Sequence, residues 1–230
     1  MRHNTKGSIR ALAAQAVGVI LLAAFLALLP AISTLADQTQ VRNYRTARVL
    51  FWDRVYPEGG FTFYCGEPFE DKTDLNVEHI YPASWMAAFL GCGTRKQCRQ
   101  TSERFNRMEA DLYNLYPSRA DINRARSNFR FGMIEGEERE FGECNFERDK
   151  DSHVAEPRPI TRGNIARAIF YMHKEYGLPV DSRDIDLLKQ WNRDDPPNYN
   201  GMRRNNVIEE IQGTRNRFID HPKRVEDLEF

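Results

Sequence analysis

The sequence predicts an α+β domain, mainly helical, wrapped around a small β-rich centre. Three observations carry this. Two short β-prone segments, LNVEHIY at 75–81 and DLYNLYP at 111–117, each run into a proline. The last third of the chain holds three helical patterns, each closed by a stop signal. No internal repeat or long linker divides residues 37–230, so they read as one domain.

Residues 1–36 stand apart. They open with Arg2, Lys6 and Arg10 and no acid, continue as the 19-residue apolar run ALAAQAVGVILLAAFLALL, and end in Pro30 and AISTLA. This is the layout of a secretory signal peptide, with a cut expected after Ala36. An uncleaved anchor is the alternative, because 19 apolar residues nearly span a bilayer. On either reading the domain is exported, to the periplasm or the medium, or tethered to the membrane outside the cytoplasm.

The whole chain carries 33 basic and 33 acidic residues, so no global charge marks it as a nucleic-acid binder. Without the first 36 residues the balance is 30 against 33, a formal −3. Any polyanion must then be held by a local patch. Four cysteines remain, with no C-x-x-C pair of the kind that binds zinc. In an oxidising compartment an even count favours disulfides. Of the three pairings, Cys92–Cys98 with Cys65–Cys144 is preferred: the first closes a short glycine-containing loop and the second staples distant parts of the chain.

In chain order, Tyr44, Ala47, Phe51 and Val55 recur at helical spacing and predict a helix within 38–56, broken by PEGG at 57–60. FTFYC at 61–65 reads as a short strand, and LNVEHIY as a second, ended by Pro82. Ala83–Leu90 reads as a short helix, GCGTRKQC as a loop, and 102–110 as a helix. DLYNLYP reads as the next strand. SRADINRARSN is expected to be a helix, with Ser118 and Asp121 as a capping box. RGNIARAIFYMHKEYG places Ile165, Ile169, Met172 and Tyr176 on one face and stops at Gly177, with Pro179 beyond. Helices over 183–192 and 201–212 end at DDPP and Gly213.

The chemistry gathers in the middle of the chain. Glu78 and His79 lie side by side near a strand end, where neighbouring side chains can serve one site. From Cys92 to Phe131 there are nine bases against four acids, a local +5. Arginine dominates, and its planar fork suits phosphate oxygens. Phosphodiester hydrolysis needs a base for water, a divalent cation and a positive side chain at the phosphate. Histidine suits the first role. A carboxylate and an amide oxygen are hard ligands suited to Mg²⁺. Glu78, His79, Asn123 and the arginines supply these types. His153 and His173 lack an adjacent carboxylate, His221 follows Asp220 in an expected loop, and His3 lies in the leader. No G-x-S-x-G or G-x-x-x-x-G-K-[ST] motif occurs.

The stretches NVEHIYPASW, GCGTRKQC, RFNRMEADLYNLYPSRADINRARSNF, FGEC, RGNIARAIFYM and IQGTRNRFID, in this order, resemble the secreted bacterial endonuclease I family. The resemblance covers most of residues 61–220. It implies a ββα-metal (His-Me finger) catalytic core and hydrolysis of DNA, with RNA as a further candidate substrate, to products with 5′-phosphate ends. It implies His79 as general base, Glu78 and Asn123 as metal ligands and Arg95 as the phosphate-stabilising residue. The implied cofactor is one Mg²⁺, with Mn²⁺ or Ca²⁺ as substitutes, and the protein is expected to act as a monomer. Lys96, Arg124 and Arg126 become substrate-contact candidates, and Asn114 either supports the site or makes a turn or sheet hydrogen bond. The chain departs from some relatives, which carry more cysteines and have Gly-Asp where this one has Arg124–Ala125. An exported, non-catalytic nucleic-acid-binding or interaction protein is the reading from another class.

Overall fold

Asn43 starts the first helix by accepting the Thr46 N–H on its side chain at 3.0 Å. In the computed structural model, which describes Met1 and residues 38–136 and 139–230, helix α1 spans Tyr44–Leu50 and runs into a π-helical turn, Phe51–Val55. The expected helix therefore begins later than residue 38. Gln38 is buried instead, donating to the carbonyls of Val41 (2.7 Å) and Arg107 (2.9 Å), which pins the lead-in segment. The expected signal or anchor lies outside the described residues. Among those residues no helix is long and apolar enough to cross a membrane.

The strand expected over 61–65 is not formed. Strands β1 (Gly60–Phe61) and β2 (Pro68–Phe69) make a two-residue ladder, and 62–65 lie in the turn between them. The β-prone aromatics serve packing rather than pairing. Phe63 lies against Tyr116 with ring centres 4.2 Å apart, and Tyr64 is fully buried. Cys65, beside them, is joined to Cys144, and Cys92 to Cys98, so both pairs are those preferred from the sequence.

Strand β3 (Leu75–His79) pairs antiparallel with β4 (Leu115–Arg119), setting Glu78 opposite Tyr116 and His79 opposite Leu115. Helix α2 (Ala83–Leu90) follows Pro82 as expected and closes on Gly91, whose φ of 61° suits glycine. The GCGTRKQC stretch is only partly loop. Thr94 and Gln97 form a capping box that opens helix α3 (Arg95–Thr101), and α4 (Glu103–Glu109) follows. The expected strand 111–117 begins as a 3₁₀ turn, Leu112–Asn114, and β4 then runs through Pro117. A two-stranded ladder leaves alternate N–H groups outside the pairing, and a proline fits there.

Helix α5 (Ala120–Arg126) starts directly from β4 with Arg119 at its N-cap, so the expected Ser118–Asp121 box is absent. Ser118 is a strand residue opposite Asn76, and Asp121 pairs with Arg119 at 2.6 Å instead. A three-stranded sheet the sequence did not announce comes next: β5 (Arg130–Phe131), β6 (Phe146–Asp149) and β7 (Val154–Pro157), in spatial order β5-β7-β6. Helices α6 (Pro159–Tyr176), α7 (Ile185–Asp194) and α8 (Tyr199–Gln212) match the expected trio, α6 and α8 ending on left-handed Gly177 and Gly213. A short helix α9 (Arg217–Asp220) follows. The four α6 residues expected on one face are all buried, in a core that continues through Ile80, Met86, Phe105 and Ile122. The result is a mixed α+β domain, Leu35–Phe230.

Candidate active site

His79 and Glu78 end β3, and each is held by a different neighbour. The His79 ring is buried, 7% exposed, and its Nε2 lies 2.9 Å from the Glu109 backbone carbonyl at the end of α4. A carbonyl only accepts, so the proton sits on Nε2 and Nδ1 keeps its lone pair. Burial, reinforced by the nearby Arg95 charge, pushes the imidazole down to about 4, while the Glu109 carbonyl and carboxylate pull the other way. The ring is therefore neutral near pH 7. Tyr44 packs against it, ring centres 5.0 Å apart.

Glu78 is 2% exposed, and its Oε1 accepts from the Tyr64 hydroxyl at 2.8 Å and pairs with Arg126 at 3.2 Å. Burial pushes the carboxyl up, against the pull of Arg126 and of the Tyr64 hydrogen bond. Tyr64 and Arg126 converge on Oε1 and the His79 backbone N–H adds a third donor, so a carboxylate with about four lone-pair sites keeps acceptor capacity. Asn123, on α5, donates its side-chain N–H to Asn76 Oδ1 at 2.6 Å. That bond fixes the amide to β3 and leaves the amide oxygen for another partner. Arg95 opens α3, and its Nε donates to the buried Glu109 carboxylate. Its side chain is still 44% exposed, with terminal N–H groups in hand.

The fold brings these groups to one place. A cleft of about 580 Å³ is lined by Glu78, His79, Arg95 and Asn123, together with Tyr44 and Asn76. The β3–β4 pair and α5 supply three of the four expected residues, and the disulfide-closed, helix-capped segment 92–98 supplies the fourth.

The remaining candidates are placed differently. Arg126 also lines the cleft, but its side chain is 1% exposed and its groups are turned to the protein. It donates to the carbonyls of His79 (3.0 Å) and Ile80 (2.6 Å), pairs with Glu78 and lies over the Phe131 ring at 4.4 Å. These contacts hold the end of β3 at the floor of the cleft. Asn114 is fully buried and grips Tyr81 from both sides, accepting its N–H at 2.6 Å and donating to its carbonyl at 2.9 Å. Asn114 thus makes a hydrogen bond from the 3₁₀ turn to the segment just past β3, in line with the turn alternative given to it beside support of the site. Lys96 and Arg124 are exposed on α3 and α5 but do not line the cleft.

Four contributors were not picked out from the sequence. Glu109, Tyr44, Tyr64 and Asn76 all act on the expected residues through contacts across 14 to 47 positions. No local pattern marks such partners. Only Glu109 carried a signal, as an acid within a stretch of arginines.

The donor set can be tested against a divalent cation. Among the described residues no group of three or more His, Cys, Asp or Glu could hold a metal. Glu78 and Asn123 offer one carboxylate and one amide oxygen, both hard donors. Such a sparse set fits Mg²⁺, which keeps several waters and completes its shell with substrate phosphate oxygens.

Comparison with known proteins adds an independent finding. A family model described as Endonuclease I matches residues 55–223. An extracellular deoxyribonuclease of Aeromonas hydrophila is 32% identical over 226 residues, covering 87% of this chain and 96% of that protein. A periplasmic deoxyribonuclease of the same organism is 32% identical over 209 residues, covering 79% and 88%. Endonuclease-1 of Buchnera aphidicola (subsp. Acyrthosiphon pisum) is 31% identical over 150 residues, covering 64% and 60%.

Proposed function

The chain belongs to the endonuclease I family, and from that premise we propose that it is an exported, metal-dependent endonuclease that hydrolyses DNA with little sequence preference and leaves 5′-phosphate ends. Membership makes it an enzyme acting on nucleic acid. The substrate and the exported location draw on its relatives, named as extracellular and periplasmic deoxyribonucleases. Two disulfides fit an oxidising compartment. The observation that carries the mechanism is the shared cleft of Glu78, His79, Arg95 and Asn123, read as a ββα-metal finger built from β3, β4 and α5.

His79 acts as general base. With Nε2–H held by the Glu109 carbonyl, Nδ1 accepts a proton from a water aimed at phosphorus. A phosphate brought beside the ring adds negative charge, which raises the low intrinsic basicity toward its working range. The imidazolium that forms is steadied by the Glu109 carbonyl and carboxylate. Arg95, anchored through Nε, turns its terminal N–H groups to the phosphate and neutralises charge there. Glu78 and Asn123 would hold the cation, Mg²⁺ with Mn²⁺ or Ca²⁺ as substitutes. When bound, it supplies charge neutralisation at the phosphate and the departing 3′ oxygen. Breaking the P–O3′ bond leaves the phosphate on the 5′ end. Contacts to phosphate carry no base information, hence the weak sequence preference.

The test is plasmid nicking by the purified protein with Mg²⁺ and with chelator, on supercoiled DNA, single-stranded DNA and RNA. The parent cuts DNA only with the cation present. His79→Ala is slower by about 10²–10⁴-fold yet still binds DNA. Equal rates for parent and variant would sink the mechanism.

A further inference from the structure

Beside the proposed active-site cleft lies a second, larger one of about 700 Å³. The two share Tyr44 as a wall. Glu109, which lines the second cleft, aims His79 in the first through its carbonyl. Its carboxylate serves both sides: Arg95 belongs to the first cleft, and Arg99, held at 2.7 and 2.8 Å, belongs to the second. The Tyr44 ring has both guanidinium groups 5.3 Å from its centre. One buried acid and one aromatic ring thus fix two arginines, one in each cleft.

The second cleft is basic in a way the active site does not require. Arg45, Arg48 and Lys72 line it, and none of the three makes an ion pair among the described residues. All three are exposed. The lining acids are Asp53 and Glu109, and Glu109 is already committed to Arg95 and Arg99. Set against the single uncommitted acid, Asp53, these three cations leave a local excess of +2 around a concave surface, in a domain of formal charge −3, and so a local positive field.

We propose that this second cleft is a phosphate-binding subsite for the part of the substrate strand that flanks the scissile bond. The inference rests on the proposed function and extends it. The strand leaves the active-site cleft past Tyr44 and is held by Arg99, Arg45, Arg48 and Lys72 through its phosphates. Arg95 and Arg99, fixed to one carboxylate, set the register between the scissile phosphate and the next ones. The enzyme is therefore built for a polynucleotide rather than an isolated phosphodiester, and grips it by charge.

The test compares the parent with the triple variant Arg45→Ala/Arg48→Ala/Lys72→Ala. Binding of a fluorescein-labelled 30-nucleotide DNA strand is measured by anisotropy in chelator, where no cutting is expected. The variant binds at least tenfold more weakly. Its slope of log affinity against log salt is shallower by about 2, as expected for three lost phosphate contacts on a single strand. With Mg²⁺, kcat/KM on the 30-mer is divided by kcat/KM on bis(p-nitrophenyl) phosphate, which is too short to reach the second cleft. That ratio falls at least tenfold in the variant. Parental affinity, salt slope and ratio in the variant overturn the subsite. A parent that binds the strand and cuts nothing, with a variant that binds weakly, counts against the catalytic reading and supports the subsite.

Discussion

Glu109 aims His79 through its backbone: the carbonyl lies 2.9 Å from the ring Nε2, while the carboxylate of the same residue holds Arg95 and Arg99. Base and phosphate ligand are thereby tied to one residue by separable atoms.

A side-chain substitution at 109 should therefore loosen the arginines and leave the base in place. Glu109→Gln keeps the size and the carbonyl but removes the charge that fixes Arg95. Hydrogen bonds to charged groups contribute about 1.5–3 kcal/mol, so kcat/KM on plasmid should fall about ten- to hundredfold. The arginines are 44% and 41% exposed, so water compensates part of the lost pairing and the melting temperature should move only modestly. A Gln variant as inactive as His79→Ala would show that base and arginine are not separable.

Glu78 and Asn123 should differ as cation ligands. Removing the carboxylate charge in Glu78→Gln should raise the Mg²⁺ concentration needed for half-maximal nicking more than Asn123→Ala does, because a neutral amide contributes less to a hard cation. Direct titration with Mn²⁺, followed by its paramagnetic signal, reads the same order without turnover. An Asn123→Ala protein with parental affinity would remove that residue from the ligand set.

Arg126 and Asn114 should act on stability. Arg126→Met leaves Glu78 buried without its cation and two carbonyls without a donor, a loss of about 3–5 kcal/mol. Asn114→Ala strands the N–H and carbonyl of Tyr81, at about 1–3 kcal/mol for each unsatisfied group. At about 2–4 °C per kcal/mol for a domain of this size, either change is visible by thermal melting. Parental melting in both would overturn the structural roles.

How much of this was legible in the sequence differs by element. Helices α2, α6 and α8 could be read because their stops are local: Gly91, Gly177 and Gly213 all sit at positive φ just past the last turn. Helix α3 was missed although its signal was present, as T-x-x-Q at 94–97 is a capping box. The similar Ser118–Asp121 spacing drew the box to the wrong place, because pairing of β4 with β3 had already claimed Ser118. FTFYC has strand composition but, past Phe61, lies in a turn, where burial of Tyr64 against Glu78 outweighs local preference. At the site, the four residues named from pattern and resemblance line one cleft. The burial of Arg126 could not be read, because nothing local distinguishes a buried arginine from a surface one. Asn76 and Tyr44 give no local sign of a site role, and Glu109 stands out only as an acid among arginines, because each acts through a contact that only the tertiary fold creates.

The two disulfides should separate stability from activity. Cys65–Cys144 closes a sequence separation of 79 and Cys92–Cys98 one of 6. Loop-closure entropy assigns about 4–5 kcal/mol to a loop of the first size and about 2 kcal/mol to the second. Cys65→Ala/Cys144→Ala should therefore lower the denaturation midpoint more, while the protein that remains folded keeps its cleft. Cys92 and Cys98, in contrast, bracket Arg95, and the Thr94–Gln97 cap lies between them. Cys92→Ala/Cys98→Ala should lose less stability and more activity per folded molecule, appearing as a lower kcat on DNA at temperatures well below melting. The cap still holds the first turn of α3, so the fall should be partial, smaller than in His79→Ala. The measurement is a denaturant curve and a nicking rate for each pair. If the Cys92/Cys98 variant melts earlier than the Cys65/Cys144 variant, the entropic ordering fails. If it nicks at the parental rate, Arg95 is positioned by the Thr94 cap and Glu109 alone.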